Sequence, residues 1–229
     1  RIFYRNSVDG AYLLPIENDE KAYYSISEND ELEIDTAKNK IKNITKSETY
    51  SMKPFPELIG KISNQNLHGS DDDVEYVIVS HPDFLSAAND LAQYHDQKDG
   101  IKTIVVTPQE IYNEFSSGAQ DITAIRDFLR MFYKKPSNKL KYLLLFGDAS
   151  YDPLSRITNN TNFVPSYQSN NSVSPTQSYI TDDYYGLLDD TEGNFTNDLV
   201  DIGIGRFPVQ TLTQANDMVR KVKNYNGEM

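Results

Sequence analysis

The sequence predicts an α/β fold: a four-stranded parallel sheet with flanking helices over residues 74–229, preceded by a small β-rich segment and linker over residues 1–73. Three observations carry this. Four short apolar runs, near residues 74–80, 102–107, 141–147 and 199–205, have the length and make-up of strands buried on both faces. Segments with helical spacing separate them. Two of those segments open on Thr-x-x-Glu/Gln, the pattern by which a helix start satisfies its own orphan amides. Strands that alternate with helices make βαβ units, and those units make parallel sheets.

In chain order, Ala22-Tyr23-Tyr24-Ser25-Ile26 and Leu32-Glu33-Ile34 read as strands, with turn residues Ser27-Glu28-Asn29-Asp30 between them. Pro54, Pro56, Gly60, Gly69 and the acidic run Asp71-Asp72-Asp73 read as a connector over residues 51–73. Tyr76-Val77-Ile78-Val79 is the first buried strand. Phe84, Leu85, Ala88, Leu91, Ala92 and Tyr94 then recur at helical spacing, and Gly100 stops that helix. Thr103-Ile104-Val105-Val106 is the second strand. Thr107-Pro108-Gln109-Glu110 supplies an N-cap, a proline at the first helical position and a glutamate three residues after the cap. A further helix runs from Asp121, with Ile122, Ile125, Phe128, Leu129 and Phe132 on one face. Tyr142-Leu143-Leu144-Leu145-Phe146 is the third strand.

Residues 149–178 are rich in Ser, Asn and Pro, without periodicity, and read as a long functional or covering loop. Val200-Asp201-Ile202-Gly203-Ile204-Gly205 is a fourth, less apolar strand. Thr211-Leu212-Thr213-Gln214 opens a last helix, with Ala215, Met218, Val219, Val222 and Tyr225 on its face and Gly227 as its stop.

Composition excludes several functions. The 229 residues carry a net charge of −12, a surface that repels phosphate backbones, so no nucleic-acid partner is expected. There is no cysteine, hence no disulfide, thiolate metal site or thiol nucleophile within the chain. No apolar run is long enough to span a membrane. The opening Arg1-Ile2-Phe3-Tyr4 is already strand-like and lacks an initiator Met, which reads as a start inside a longer protein.

Ligands of open α/β sheets sit at the carboxyl ends of strands, here Ser80-His81, Thr107, Gly147-Asp148 and Arg206. Ser80 beside His81 offers a hydroxyl and a base. Sequence neighbours at a strand exit rarely face each other, though, and no strained elbow surrounds the serine. The structural alternative puts Ser80 at the helix cap and His81 on its first turn. His68 and His95 have no evident partner and read as solvated. Asp148 is placed like a phospho-acceptor, but Ser80-His81 stands where a metal-holding acidic pair would be needed, so a tight turn accounts for it better. Asp182, Asp183, Asp189 and Asp190 concentrate oxygen ligands. Asp190, Glu192, Asn194, Asp198 and Asp201 even fall at calcium-loop positions, but Phe195 occupies the position that demands glycine. A solvated acidic hairpin competes with a looser calcium site; calcium is the one cofactor considered, and metal ligands stay unassigned. Asn43, Asn159, Asn170 and Asn194 open Asn-x-Ser/Thr sequons. Gly203-Ile204-Gly205-Arg206 is not a phosphate loop. No catalytic residue emerges.

Four stretches then carry a resemblance. They are Leu144-Leu145-Phe146-Gly147-Asp148-Ala149-Ser150-Tyr151-Asp152, Asn162-Phe163-Val164-Pro165-Ser166-Tyr167, the run from Ser178 to Asp189, and Asp201-Ile202-Gly203-Ile204-Gly205-Arg206-Phe207-Pro208-Val209. In this order they resemble the gingipain-type cysteine peptidases, and among them the sortases of the type IX secretion system of Bacteroidota. The resemblance covers residues 74–229 and implies the first of two caspase-like α/β subdomains, with the catalytic Cys and His beyond Met229. Residues 1–73 resemble, less specifically, the end of the β-rich region that precedes such a domain. No residue here matches a catalytic position, and the chain alone is expected to be inactive. The parent is implied to be a secreted, cell-surface endopeptidase. It would remove the C-terminal signal domain of cargo proteins, join the cargo to a surface glycolipid, and work with other secretion components at the outer membrane. A non-catalytic α/β interaction module of a bacterial surface protein is the alternative. The long loop should be ordered by its rings, with Tyr184 or Tyr185 inward and the carboxylates of Asp182, Asp183, Asp189 and Asp190 outward or on a cation.

Overall fold

The computed structural model describes residues 64–170, 173–174, 176–193 and 198–225 in full, and the backbone of residues 31–35 and 40–45. The chain divides into two units, Arg1–Ser63 and Asn64–Met229. In the first, β1 (Glu31–Asp35) and β2 (Lys40–Thr45) form an antiparallel pair whose register shifts between Glu33 and Ile34. β1 contains the expected strand at Leu32–Ile34. The expected strand at 22–26 and turn at 27–30 lie outside the described residues.

The second unit holds β3 (Tyr76–Ser80), α1 (Leu85–Tyr94), β4 (Thr103–Val106), α2 (Pro108–Phe115), α3 (Ile122–Tyr133), β5 (Tyr142–Phe146), β6 (Tyr167–Gln168), β7 (Ile180–Thr181), β8 (Gly203–Phe207) and α4 (Leu212–Tyr225). The main sheet has the order β4-β3-β5-β8, parallel throughout. Central β3 and β5 are buried on both faces, which is why their sequences are unbroken apolar runs. On one face Val77, Val79, Leu143 and Leu145 meet Ile111, Ile125, Phe128, Leu129 and Phe132 of α2 and α3. On the other, Ile78, Leu144 and Phe146 meet Ala88, Leu91, Ala215 and Val219 of α1 and α4. Each helix buries one apolar stripe, and burying such a side chain stabilises by about 1.5–3 kcal/mol.

The helix signals fold largely as read. The amide of Thr107 donates to Glu110 Oε2 at 2.7 Å and the amide of Glu110 to Thr107 Oγ1 at 3.3 Å. Asp121 caps α3 through the amide of Thr123 at 2.8 Å. Gly100 sits at φ +66°, the left-handed conformation that ends the turn following α1.

Several details differ. Thr211 caps α4 through the amide of Gln214 at 3.2 Å, but Gln214 reaches back to the amide of Gln210 at 2.8 Å, one residue before the cap. The fourth strand starts at Gly203 rather than near 199, because the amide of Asp201 is held by Gly186 O at 2.8 Å and its carboxylate by the amide of Leu188 at 2.8 Å. The long loop contributes β6 to a short antiparallel pair with β7, just beyond its end, that the polar sequence concealed.

The expected connector is, from Asn64 onward, packed onto the α/β unit. Glu114 accepts from the amides of Leu67 at 2.7 Å and His68 at 3.2 Å, from Gln65 Nε2 at 2.9 Å, and lies 2.7 Å from His68 Nδ1. Lys102 bonds Asp71 at 2.8 Å and Asp73 at 2.6 Å, so neighbouring carboxylates that repel in an isolated run are brought onto one ammonium.

Candidate functional site

The strand order reverses between β3 and β5, since β4 lies on one side of β3 and the later strands on the other. The carboxyl ends at such a switch point form the crevice where α/β folds bind ligands. Here those ends are Ser80-His81 and Gly147-Asp148, joined by a bond from the His81 amide to Phe146 O at 3.2 Å.

The crevice is filled by the protein itself. The long loop returns Phe163 and Val164 over it, and both amides donate to Asp148 O at 3.1 Å. Phe163 packs edge-on against His81 at 4.7 Å and Phe84 at 5.2 Å between ring centroids. Gly147, at φ +151°, lets the loop approach this closely: a Cβ there would lie 2.9 Å from Phe163 Cβ and 3.2 Å from Val164 Cγ2.

Ser80 and His81 do not form a nucleophile–base pair. Ser80 is fully buried and its hydroxyl donates to the His81 carbonyl at 3.0 Å. His81 Nδ1 instead accepts from the amide of Asp83 at 3.3 Å, so His81 caps the turn into α1, not Ser80 as read from the sequence. Burial lowers the His81 pKa, an effect that nearby Asp83 opposes. Thr107 is spent as a helix cap. Asp148 ends the strand in a turn, its amide on Val209 O at 3.0 Å and its carboxylate accepting from Gln210 Nε2 at 2.7 Å.

Arg206, at the end of β8, is the hub of this edge. Nε and Nη2 grip Asp182 at 2.7 and 2.8 Å. Nη1 donates to Gly147 O at 2.8 Å and Val164 O at 2.7 Å, and Nη2 also reaches Pro165 O at 3.2 Å and Ser166 Oγ at 3.1 Å. Ser166 Oγ donates to Asp182 at 2.5 Å. The bidentate fork to a carboxylate is the strong form of this interaction. Tyr185 points inward, fully buried, with its hydroxyl on Pro165 O at 2.6 Å; burial raises its pKa well above the usual value.

The acidic segment is organised by cations of the protein. Asp182 faces Arg206 and is not outward. Asp190 pairs with Lys134 and Arg130, which hold its pKa down, Lys134 most. Asp189, Glu192 and Asp201 bring one carboxylate oxygen each within 4.8 Å of one another, a grouping the calcium-loop spacing did not pick out. These groups also bond the fold. Glu192 accepts from the amide of Asp189 at 3.2 Å, and Tyr133 donates to Asp201 at 3.1 Å. Asn194 and Phe195 lie outside the described residues.

Sequence reasoning missed Arg126, which is almost wholly buried on α3. It donates to Leu187 O at 2.5 Å and Glu192 O at 2.7 Å and lies over the Tyr184 ring at 5.2 Å. The available signal was its place in the stripe Ile122, Arg126, Leu129, Tyr133, an i, i+4, i+7, i+11 series. His68 and His95 are not free. His68 stacks on Phe115 at 4.5 Å beside Glu114, and His95 Nδ1 lies 2.7 Å from Asp99 with Tyr76 edge-on at 5.5 Å. The sequon residues Asn159 and Asn170 are exposed. Among the described residues no helix is long and apolar enough to cross a membrane.

Comparison with known proteins places this geometry. The family model described as peptidase family C25 matches residues 69–229. The crystal structure of dimeric latent PorU from Porphyromonas gingivalis is similar at 36% identity and a TM-score of 0.62, over 73% of this chain and 17% of that one. A second likeness is of another kind. The chain is 54% identical over 66 residues to the 3-isopropylmalate dehydratase small subunit of Brachyspira hyodysenteriae, covering 29% of this chain and 39% of the relative. It is 47% identical over 62 residues to that subunit of Endomicrobium trichonymphae, covering 27% and 37%. The chain thus spans well under half the length of each of these proteins.

Proposed function

Because the chain belongs to peptidase family C25, we propose that its α/β unit is the non-catalytic half of a cysteine endopeptidase domain, whose carboxyl-edge loops support an active site supplied by a second subdomain. Two observations carry this: the crevice where such a fold would bind a ligand is filled by Phe163 and Val164, and the sequence has no cysteine. The unit therefore offers a platform in place of a nucleophile. In the complete peptidase a thiolate attacks the scissile carbonyl and an imidazole protonates the leaving amine. The likeness to PorU favours a cell-surface sortase of type IX secretion, which removes the C-terminal signal domain of cargo and passes the acyl group to an amine of a surface glycolipid.

Incubating the chain with fluorogenic peptides and with signal-domain cargo tests the first part. No turnover above buffer is expected. Turnover that survives repurification and disappears in Ser80→Ala or His81→Ala overturns the reading.

A separate observation bears on the first unit. The dehydratase likeness extends over 62–66 residues in these two relatives, and the family match begins at residue 69. The match leaves residues 1–68, long enough to hold such a stretch, and residues 1–63 of it form their own unit. This favours an origin in a dehydratase small subunit over the end of a β-rich region preceding the peptidase. A chain beginning at Asn64 should then unfold at the same urea midpoint as the α/β transition of the full chain. A large drop in that midpoint shows instead that residues 1–63 are an integral part of the peptidase fold.

A further inference from the structure

We propose that Arg206 is a positioning residue for the peptidase: it locks the carboxyl-edge loops into one arrangement, and through them the active site held against that edge. The second half of this statement rests on the reading given under Proposed function. Three chain segments form the edge: the exit of β5 at Gly147, the returning loop at Val164–Ser166, and Asp182 ahead of the buried Tyr185. Arg206 bonds all three at once. Its side chain is 13% exposed and that of Asp182 is 22% exposed, so water competes weakly for these donors.

The segments so tied carry a group of solvent-facing apolar side chains. Tyr151, Leu154 and Ile157 lie on the long loop, and Tyr179 and Ile180 at the β7 hairpin. The two groups are themselves linked, since Gln168 Nε2 of the hairpin donates to Ser150 O at 3.2 Å. A planar guanidinium serves three acceptor groups on the backbone and two on side chains in a fixed fork. An ammonium has neither the reach nor the plane for this, so lysine keeps the charge and loses the lock.

The test compares Arg206→Lys with Arg220→Lys, a change at an exposed residue that pairs with Asp217 among the described residues. Hydrogen exchange on the full chain is the first arm. In Arg206→Lys, protection across 148–166 and 180–186 should fall about ten-fold or more while Val77–Val79 and Leu143–Leu145 stay within about two-fold. Kinetics of a family peptidase carrying this unit beside its thiol-bearing subdomain is the second arm. There kcat should fall about ten-fold or more with KM within about two-fold. Arg220→Lys should leave both readouts unchanged. Retained loop protection overturns the proposal, as does loss of sheet protection, which marks a general loss of stability. Loosened loops with unchanged kcat overturn the catalytic link. An inactive unsubstituted peptidase overturns the underlying reading instead, and the exchange arm still decides whether Arg206 locks the loops.

Discussion

Gly147→Ala is the sharpest single probe of the filled crevice. The added methyl would stand 2.9 Å from Phe163 Cβ and 3.2 Å from Val164 Cγ2, with Phe84 Cε2 at 3.7 Å. The nearest atom is a Cβ, fixed to the backbone, so relief requires moving the returning loop. Overpacking of this kind costs about 1–3 kcal/mol. The φ of +151° adds backbone strain of about 1–3 kcal/mol for a residue with a side chain. Together these reach about 2–6 kcal/mol, a large part of the about 5–15 kcal/mol by which a domain is stable. Gly205→Ala is the control on the neighbouring strand. Among the described residues its methyl meets only Leu144 Cδ1 at 3.9 Å, at an ordinary φ, and loss of unfolded-state entropy should make it neutral or favourable by about 0.4–1 kcal/mol. Urea unfolding of the two variants, followed by near-ultraviolet circular dichroism of the tyrosines, measures the difference. Values within about 0.5 kcal/mol of each other, the range of harmless surface substitutions, would refute the close approach on which the crevice argument depends.

Two further perturbations test the loops. Glu114→Gln removes a carboxylate whose pKa is held at about 2 against an ordinary 4.5; burial alone would raise it, but bonds from Leu67, Gln65 and His68 outweigh that. A depressed pKa means that this stabilisation is complete above pH 4.5 and is lost as the pH falls toward 2. The variant should therefore lose about 1.5–3 kcal/mol at neutral pH and little in acid, and equal losses at pH 7 and pH 2 in urea titrations would contradict the clamp. Asp152→Asn acts on a carboxylate that is almost fully buried and accepts from the amides of Arg156 at 2.5 Å and Ile157 at 2.8 Å. Limited proteolysis should cut the variant within 152–160 first, and resistance equal to the wild type would show that Asp152 does not organise this turn.

The sequence by itself determined the sheet, three of the helix starts and the place of the edge. Val77, Val79, Leu143 and Leu145 had to be buried, since no other arrangement removes such unbroken apolar runs from water. Thr107, Asp121 and Thr211 had to cap, because their oxygens satisfy amides only a few residues away. These are local or periodic effects, readable without knowing where the chain travels. The inward turn of Tyr185 was legible for a related reason: a loop so rich in rings gains too much by burying them to remain in water.

What only the tertiary structure decided lies between segments far apart in sequence. Arg206 and Asp182 are 24 residues apart, and Arg126 meets Leu187 across 61. A charged residue at a strand end looks alike whether it faces solvent, a substrate or a carboxylate; only the return of the loop showed that Asp182 meets a guanidinium. His68 looked solvated because its partner Glu114 is 46 residues away. Ser80 looked like a cap because serine often is one, yet the chain leaves β3 with His81 in the capping position and the serine hydroxyl buried. Periodicity reports which face of an element avoids water, and capping reports where it begins. The contacts that pair one buried charge with another depend on the path of the backbone between them, and that path is set by the packing of the whole unit.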